Sequence, residues 1–339
     1  MGGGSWSDAD YSRSTRGRAA FAYSDDVLAK PTNEQKCHQL LDPYGLKVRE
    51  SRDSAEHPES NAIMIGLDVT GSMAGVVVDV QKSLGKVMDM LLMGKYIPDP
   101  QLLFYAVGDA TCDQIPFQVS QFESDNRIND QLTKMVLEGG GGGQMTESYE
   151  LGFYCAARHT SIDCFEKRGR KGYLFTIGDE YPYPEVRKTQ VKKIFNANLQ
   201  DNMPLEKAVA EAKKKYHAFH IIPKGSSHWS DPAVRQAWAD TLGGEQFVLM
   251  LKDPKATAET IAVAVGINEG ALTLDEGAAL VARNSSQRLA EAVRSALAGF
   301  AKYAESLPKK SKPKKNGGAT EKAEKNKKNK KNAKDDLLL

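Results

Sequence analysis

No stretch of this 339-residue chain approaches the roughly 18 uninterrupted apolar residues of a membrane-crossing helix, so no such span is expected. The opening MGGGSWSDADYSRS has no apolar core of the signal-peptide kind, and Trp6 stands where the myristoylation pattern needs Ser or Thr. With no targeting segment in view, a cytoplasmic protein without membrane attachment is expected. Cysteine is scarce: Cys37, Cys112, Cys155 and Cys164 show no CxxC spacing, which argues against a zinc knuckle or a disulfide frame. Reduced, mostly buried thiols are the expected state. The run GGGGG, Gly139 to Gly143, lacks the Lys and the spacing of a phosphate-binding P-loop. Neither a hydrolytic triad nor a dinucleotide loop is found, so a non-enzymatic role is expected.

The composition is otherwise that of an ordinary globular chain, 40% hydrophobic and 27% charged. The net charge of +2 conceals an asymmetry, because Pro308 to Leu339 holds twelve Lys against four acids. Without that segment the body has 34 basic and 40 acidic residues, about −6. The basic character belongs to the tail, whose composition predicts disorder. If nucleic acid is bound at all, the tail is where phosphate contacts would arise, and they would weaken steeply with salt.

Four segments follow from the pattern. Residues 1–60 are polar with scattered anchors such as Trp6, Phe21 and Tyr23, and read as an extended arm. Residues 61–252 alternate strands and helices. Ala62 to Leu67, the run ending at Val107, the run ending near Ile177, His217 to Ile222 and EQFVLML read as buried strands; IPFQVSQF reads as a short edge strand. Met73 to Met93, with Val76, Val80, Leu84, Val87, Met88 and Leu91, reads as one amphipathic helix. Further helices are expected at Asn126 to Leu137, Glu147 to Arg158, Leu205 to Tyr216, Pro232 to Leu242 and Ala256 to Val265. This rhythm predicts a doubly wound, Rossmann-like α/β domain with a mostly parallel sheet and helices on both faces. Residues 253–306 read as a helical extension, clearest from Leu289 to Tyr303, and 307–339 as the Lys-rich tail.

Ligands of open parallel sheets bind beyond the carboxyl ends of the strands. The first strand ends in NAIMIGLDVTGSM, which places Asp68, Thr70 and Ser72 in one loop. The second ends in VGDATCD, with Asp109 and Asp113, and the third in TIGDE, with Asp179 and Glu180. Between these, the glycine run leads into QMTES, with Thr146 and Glu147. A single helix cap needs one such side chain, not three with a distant Asp. All-oxygen surroundings suit a hard divalent cation, and octahedral oxygen ligands accept Mg²⁺ and Mn²⁺ alike. If hydroxyls bind directly while Asp68 and Asp179 hold waters, the ion stays electrophilic and can take a carboxylate from outside. His217 and His220 should point to opposite strand faces and are not expected to share an ion. Cys155 and His159, one helical turn apart, read as packing.

DVTGSM resembles the first motif, DxSxS, of the metal-ion-dependent adhesion site in von Willebrand factor type A domains, with Thr70 in place of the first Ser. The resemblance spans about residues 60 to 252. It implies that Asp68, Thr70, Ser72, a middle-loop Thr and a later Asp hold Mg²⁺. Asp179 fits the later Asp, although GDE stands where the family more often has Asp-Gly. Either Thr146 or Gln144 could align with the middle Thr, and Glu147 could take the role. Thr146 is the expected direct ligand, with Thr70 and Ser72, and Asp109, Glu147 and Glu180 are candidates for supporting positions. Intracellular members commonly serve as adaptors for larger machines, so the resemblance implies capture of an acidic side chain of a protein partner, with a MoxR-type AAA+ ATPase as a candidate. DVTGS is also similar to the DKTGT motif of P-type ATPases and their dehalogenase-like relatives, which would make Asp68 a phospho-acceptor. Val69 replaces the Lys that this chemistry needs, and GDEYP lacks the Asn-Asp. A third comparison is the Ro ribonucleoprotein family, whose RNA-binding helical ring needs far more helix than follows Gly266, with none expected before Asn61.

Overall fold

The computed structural model describes residue 7, residues 22–73 and residues 75–308. The anchors Trp6 and Phe21 and the Lys-rich tail beyond residue 308, with its expected disorder, lie outside the described residues.

Six segments rich in buried apolar side chains pair into one sheet: β1 (Asn61–Asp68), β2 (Pro100–Val107), β3 (Phe117–Val119), β4 (Gly172–Ile177), β5 (Tyr216–Pro223) and β6 (Val248–Leu251). Their order is β6-β5-β4-β1-β2-β3, parallel throughout except for the antiparallel edge strand β3. All eight residues of β1 are buried, as expected of a strand covered on both faces. Successive side chains alternate between the faces. Ile63, Ile65 and Leu67 join one apolar core, and Ala62 and Met64 join the other.

The first core is covered by α1 (Val76–Leu84), α2 (Val87–Gly94) and three later helices; the second by α3 (Tyr149–Arg158), α4 (Lys188–Phe195), α5 (Leu205–Lys215) and α6 (Pro232–Leu242). The later helices are α7 (Thr257–Asn268), α8 (Leu274–Asn284) and α9 (Gln287–Ser306). Residues Thr257 to Ile267 of α7 are buried all round, because the helix is enclosed by α1, α2, α8 and α9. The C-terminal helices therefore complete the wall of the first core. No helix among the described residues is long and apolar enough to cross a membrane.

Local differences from the sequence reading have identifiable causes. The single helix expected from Met73 to Met93 is two, because Gly85 and Lys86 interrupt it. The helix at Asn126 to Leu137 contracts to Arg127–Leu132, and Val136 continues as irregular backbone tied to Gln118. Helix α3 begins at Tyr149, since Thr146–Glu147 is a short strand paired in parallel with Tyr181–Pro182. A seven-residue helix, Ala22–Leu28, precedes Asn61 where none is expected. The second half of the arm is strapped down: Arg49–Ser51 pairs with Thr160–Ile162, and Arg52 forms ion pairs with Glu50, Asp163 and Glu166 at 2.8, 2.8 and 2.9 Å.

Candidate functional site

The sheet order creates the site. From β1 the chain moves outward to β2 and β3, then returns across β1 to β4 and continues the other way. The winding reverses beyond the carboxyl ends of β1 and β4, the place where open α/β sheets bind their ligands. In register, Asp68 stands level with Val107, and Leu67 with Ile177, so the loops leaving β1, β2 and β4 start at one height. Asp68, Asp109 and Asp179 follow from that alignment.

Four of the expected residues form one line of polar contacts. Asp68 Oδ1 accepts from the Thr70 amide at 2.8 Å and from Thr70 Oγ1 at 2.6 Å. Thr70 Oγ1 lies 3.2 Å from Ser72 Oγ, which donates to Asp179 Oδ1 at 2.7 Å. Asp179 Oδ2 accepts from the His228 amide at 2.7 Å, and the Ser227 amide and hydroxyl both reach the Ser72 carbonyl at 3.0 Å. The loop after β5 thus closes over the loop after β1. From the other side the glycine run is stitched down, with Gly139 donating to the Val69 carbonyl and Gly71 to that of Gly140, at 3.0 and 2.9 Å. Asp68 and Asp179 are fully buried, Thr70 nearly so, and Ser72 is half-buried at the mouth.

Tyr149, the first residue of α3, was not foreseen. Its hydroxyl donates to Asp68 Oδ2 at 2.5 Å, so both Asp68 oxygens have partners. The ring is held edge-on by His220 and Trp238, with centroids 5.8 and 5.0 Å away, and those two rings stack on each other at 3.5 Å. His220 Nδ1 meets Thr176 Oγ1 at 2.6 Å. At Gly178 any Cβ would collide with the Tyr149 hydroxyl, so the close approach of α3 to the end of β4 requires glycine there.

The electrostatics are those of crowded acids. Burial pushes the Asp68 carboxyl up to about 6; hydrogen bonds from Thr70 and Tyr149 oppose the rise, and Asp179 adds to it. Glu147 and Glu180 are both buried and hydrogen-bonded to each other, and burial raises both, with Asp68 adding to each. Glu147 Oε2 and Glu180 Oε2 have no hydrogen-bond partner among the described residues. Buried acids in contact need a proton or a cation between them.

The other expected residues sit apart from this line. Asp109 Oδ1 accepts from the amide and hydroxyl of Thr111, repeating the Asp68–Thr70 geometry one strand along. Its remaining oxygen is engaged by Gln144 Nε2. Asp113 accepts from the Asp109 and Gly141 amides at 2.7 and 3.1 Å, bracing the β2 loop against the glycine run. Thr146 is half-exposed, and its hydroxyl makes no hydrogen bond to the Asp68 line among the described residues. His217 and His220 lie on opposite strand faces, only His220 being fully buried.

The donor set fits a hard cation: hydroxyls at the mouth, carboxylates behind them, and two buried carboxyl oxygens without partners. No three His, Cys, Asp or Glu side chains among the described residues converge to hold an ion by themselves. An ion here would therefore depend on Thr70 and Ser72.

No protein-family model matches the chain, and no curated protein matches it. Among solved structures, the pilus adhesin SpaC from Lactobacillus rhamnosus GG in its open conformation is similar over 62% of this chain, at 9% identity and a TM-score of 0.42. The match spans only 30% of that adhesin. The vWF domain of the type V pili tip protein Mfa5 from Porphyromonas gingivalis is similar over 61% of this chain and 95% of its own, at 13% identity and a TM-score of 0.39. An aerotolerance-related membrane protein from Bacteroides fragilis is similar over 60% and 98%, at 12% identity and a TM-score of 0.35. The α/β class itself rests on the sheet order and the two covered faces.

Proposed function

We propose that this chain is a protein-interaction module of the von Willebrand A type, which holds a hard divalent cation, Mg²⁺ or Mn²⁺, at the reversal of its sheet and docks an acidic side chain of a partner there. The observation that carries this reading is the line of polar contacts Asp68–Thr70–Ser72–Asp179, assembled from two strand-end loops in which Ser72 and Asp179 are 107 residues apart, and opening to solvent at Ser72. A bound ion would supply a Lewis-acidic position for the incoming carboxylate. Thr70 and Ser72 present neutral oxygens, which leave most of the ion's charge uncancelled. Asp68 and Asp179 hold those hydroxyls in place, and Tyr149 draws charge from Asp68. A MoxR-type AAA+ ATPase remains the candidate partner that the motif suggests.

Phosphorylation of Asp68 is the lesser reading. Both its oxygens already accept hydrogen bonds, and the side chain is inaccessible to a phosphoryl donor without rearrangement.

Titration calorimetry tests the main reading. The wild type is expected to bind Mg²⁺ or Mn²⁺ at one site, and Ser72→Ala and Thr70→Val to weaken binding at least tenfold. Co-purification of an AAA+ ATPase should then require Mg²⁺ and fail with Ser72→Ala. Equal cation affinity in wild type and both variants would refute the assignment.

A further inference from the structure

Three side chains of the middle loop could meet the site, and one is aimed at it. Gln144 is engaged by Asp109 and by the Tyr183 hydroxyl, the latter at 3.0 Å. Thr146 and Glu147 form a two-residue strand, so their side chains leave opposite sides of it. Thr146 is the half-exposed one, and Glu147 is 1% exposed. Only Glu147 turns inward.

Its location is fixed by Gly141. A Cβ placed there would stand 3.0 Å from Glu147 Oε1 and 3.8 Å from Thr70 Cβ, so the carboxyl and the Thr70 side chain border the same small space beside Gly141. With φ +111° and this crowding, Gly141 occupies a position that a side chain would not tolerate. Glu147 Oε2 is buried without a partner, and Glu180, which contacts Glu147, has its own unpartnered Oε2 and is 6% exposed. Buried carboxyl oxygens without partners are costly unless something else satisfies them.

We propose that Glu147, held by Glu180, is the cation ligand contributed by the middle loop, so that this site grips its ion with a carboxylate as well as with the hydroxyls of Thr70 and Ser72. This rests on the cation-dependent reading above. A carboxylate tightens the hold on the ion and cancels part of its charge, so the attraction left for an outside acid is smaller than at an all-hydroxyl site.

Mn²⁺ binding by calorimetry and by electron paramagnetic resonance tests the assignment on the full chain, with wild type, Thr146→Ala, Glu147→Gln, Glu147→Asp and Ser72→Ala side by side. Glu147→Gln keeps the shape and should fold, as a melt in chelator will show. It is expected to weaken Mn²⁺ tenfold or more and to alter the resonance of the bound ion. Glu147→Asp should fall between it and the wild type, and Thr146→Ala should stay within twofold. If Ser72→Ala weakens binding while Glu147→Gln stays within twofold, or if Thr146→Ala causes the larger loss, Glu147 is not the ligand and the cation site stands without it. If the wild type binds no Mn²⁺, the cation reading fails and this assignment with it.

Discussion

Glu150 shows how much a single residue can reveal. It lies in α3 with no exposed surface, and its two oxygens face the amides of Glu150 and Tyr183 without a well-formed hydrogen bond. Burial raises its carboxyl well above the usual range; Asp109 adds to the rise and Arg187 opposes it. The folded chain therefore keeps this proton after the unfolded chain has released its own, near pH 4.3. Above that pH the unfolded state binds fewer protons, so stability falls as pH rises, by up to about 1.4 kcal/mol per unit from this one group. Glu150→Gln should flatten the dependence by about that slope and gain stability over wild type most at the alkaline end. Urea unfolding in chelator at pH 5.5, 6.5 and 7.5 measures it; parallel curves for the two proteins would show that Glu150 is ionised in the fold. At this scale Asp68, Thr70 and Ser72 were legible because they share one short loop. Tyr149 was not, since its partner lies 81 residues away and an aromatic residue at a helix start carries no mark of its target.

Among the elements, the buried strands were the most legible, because a strand covered on both faces reads as an apolar run wherever it falls in the chain. Helices α6 and α9 were plain from their spacing and α4 was not, as eight residues with three Lys give too little pattern. The strand at Thr146–Glu147 was hidden because it is two residues long and its partner lies beyond β4. Yet that short strand decides which of the two side chains faces the site. The approach of α3 to β4 is the contact to perturb. Gly178→Ala drives a Cβ into the Tyr149 hydroxyl and should cost about 1–3 kcal/mol, the usual range for overpacking. Tyr149→Phe strips Asp68 Oδ2 of its donor and should cost a similar amount, about 1.5–3 kcal/mol for a bond to a charged group. In the double variant the nearest colliding atom is gone, although ring carbons Cζ and Cε1 still lie 2.7 and 2.8 Å from the added Cβ. The clash is relieved only in part, so the combined loss should fall short of the sum by about 0.5–2 kcal/mol. Urea midpoints of the four proteins in chelator close the cycle. Simple additivity would mean that Tyr149 leaves Asp68 when Gly178 is replaced, or never restrains it.

At the scale of the whole molecule, the reversal of the sheet gathers Asp68, Glu147, Asp179 and Glu180 at one edge, although the sequence spreads them over more than a hundred residues. Burying four acids together opposes folding unless a counter-charge is supplied. A cation bound only by the folded chain stabilises it by RT ln(1 + [L]/Kd), about 2.7 kcal/mol at a hundredfold excess over Kd. For a domain of this size that amounts to a rise in Tm of roughly 4–5 °C. Melting in chelator and then in rising Mg²⁺, against NaCl of matched ionic strength, separates occupancy from simple screening of surface charge. Wild type should gain steadily with the logarithm of Mg²⁺ once Kd is passed, and excess chelator should return it to the starting Tm. Ser72→Ala should need at least tenfold more Mg²⁺ for the same rise. The acids remain crowded in that variant, so general electrostatic relief would raise its Tm as much as that of the wild type. If Mg²⁺ and matched NaCl shift the two proteins alike, the edge holds no specific ion.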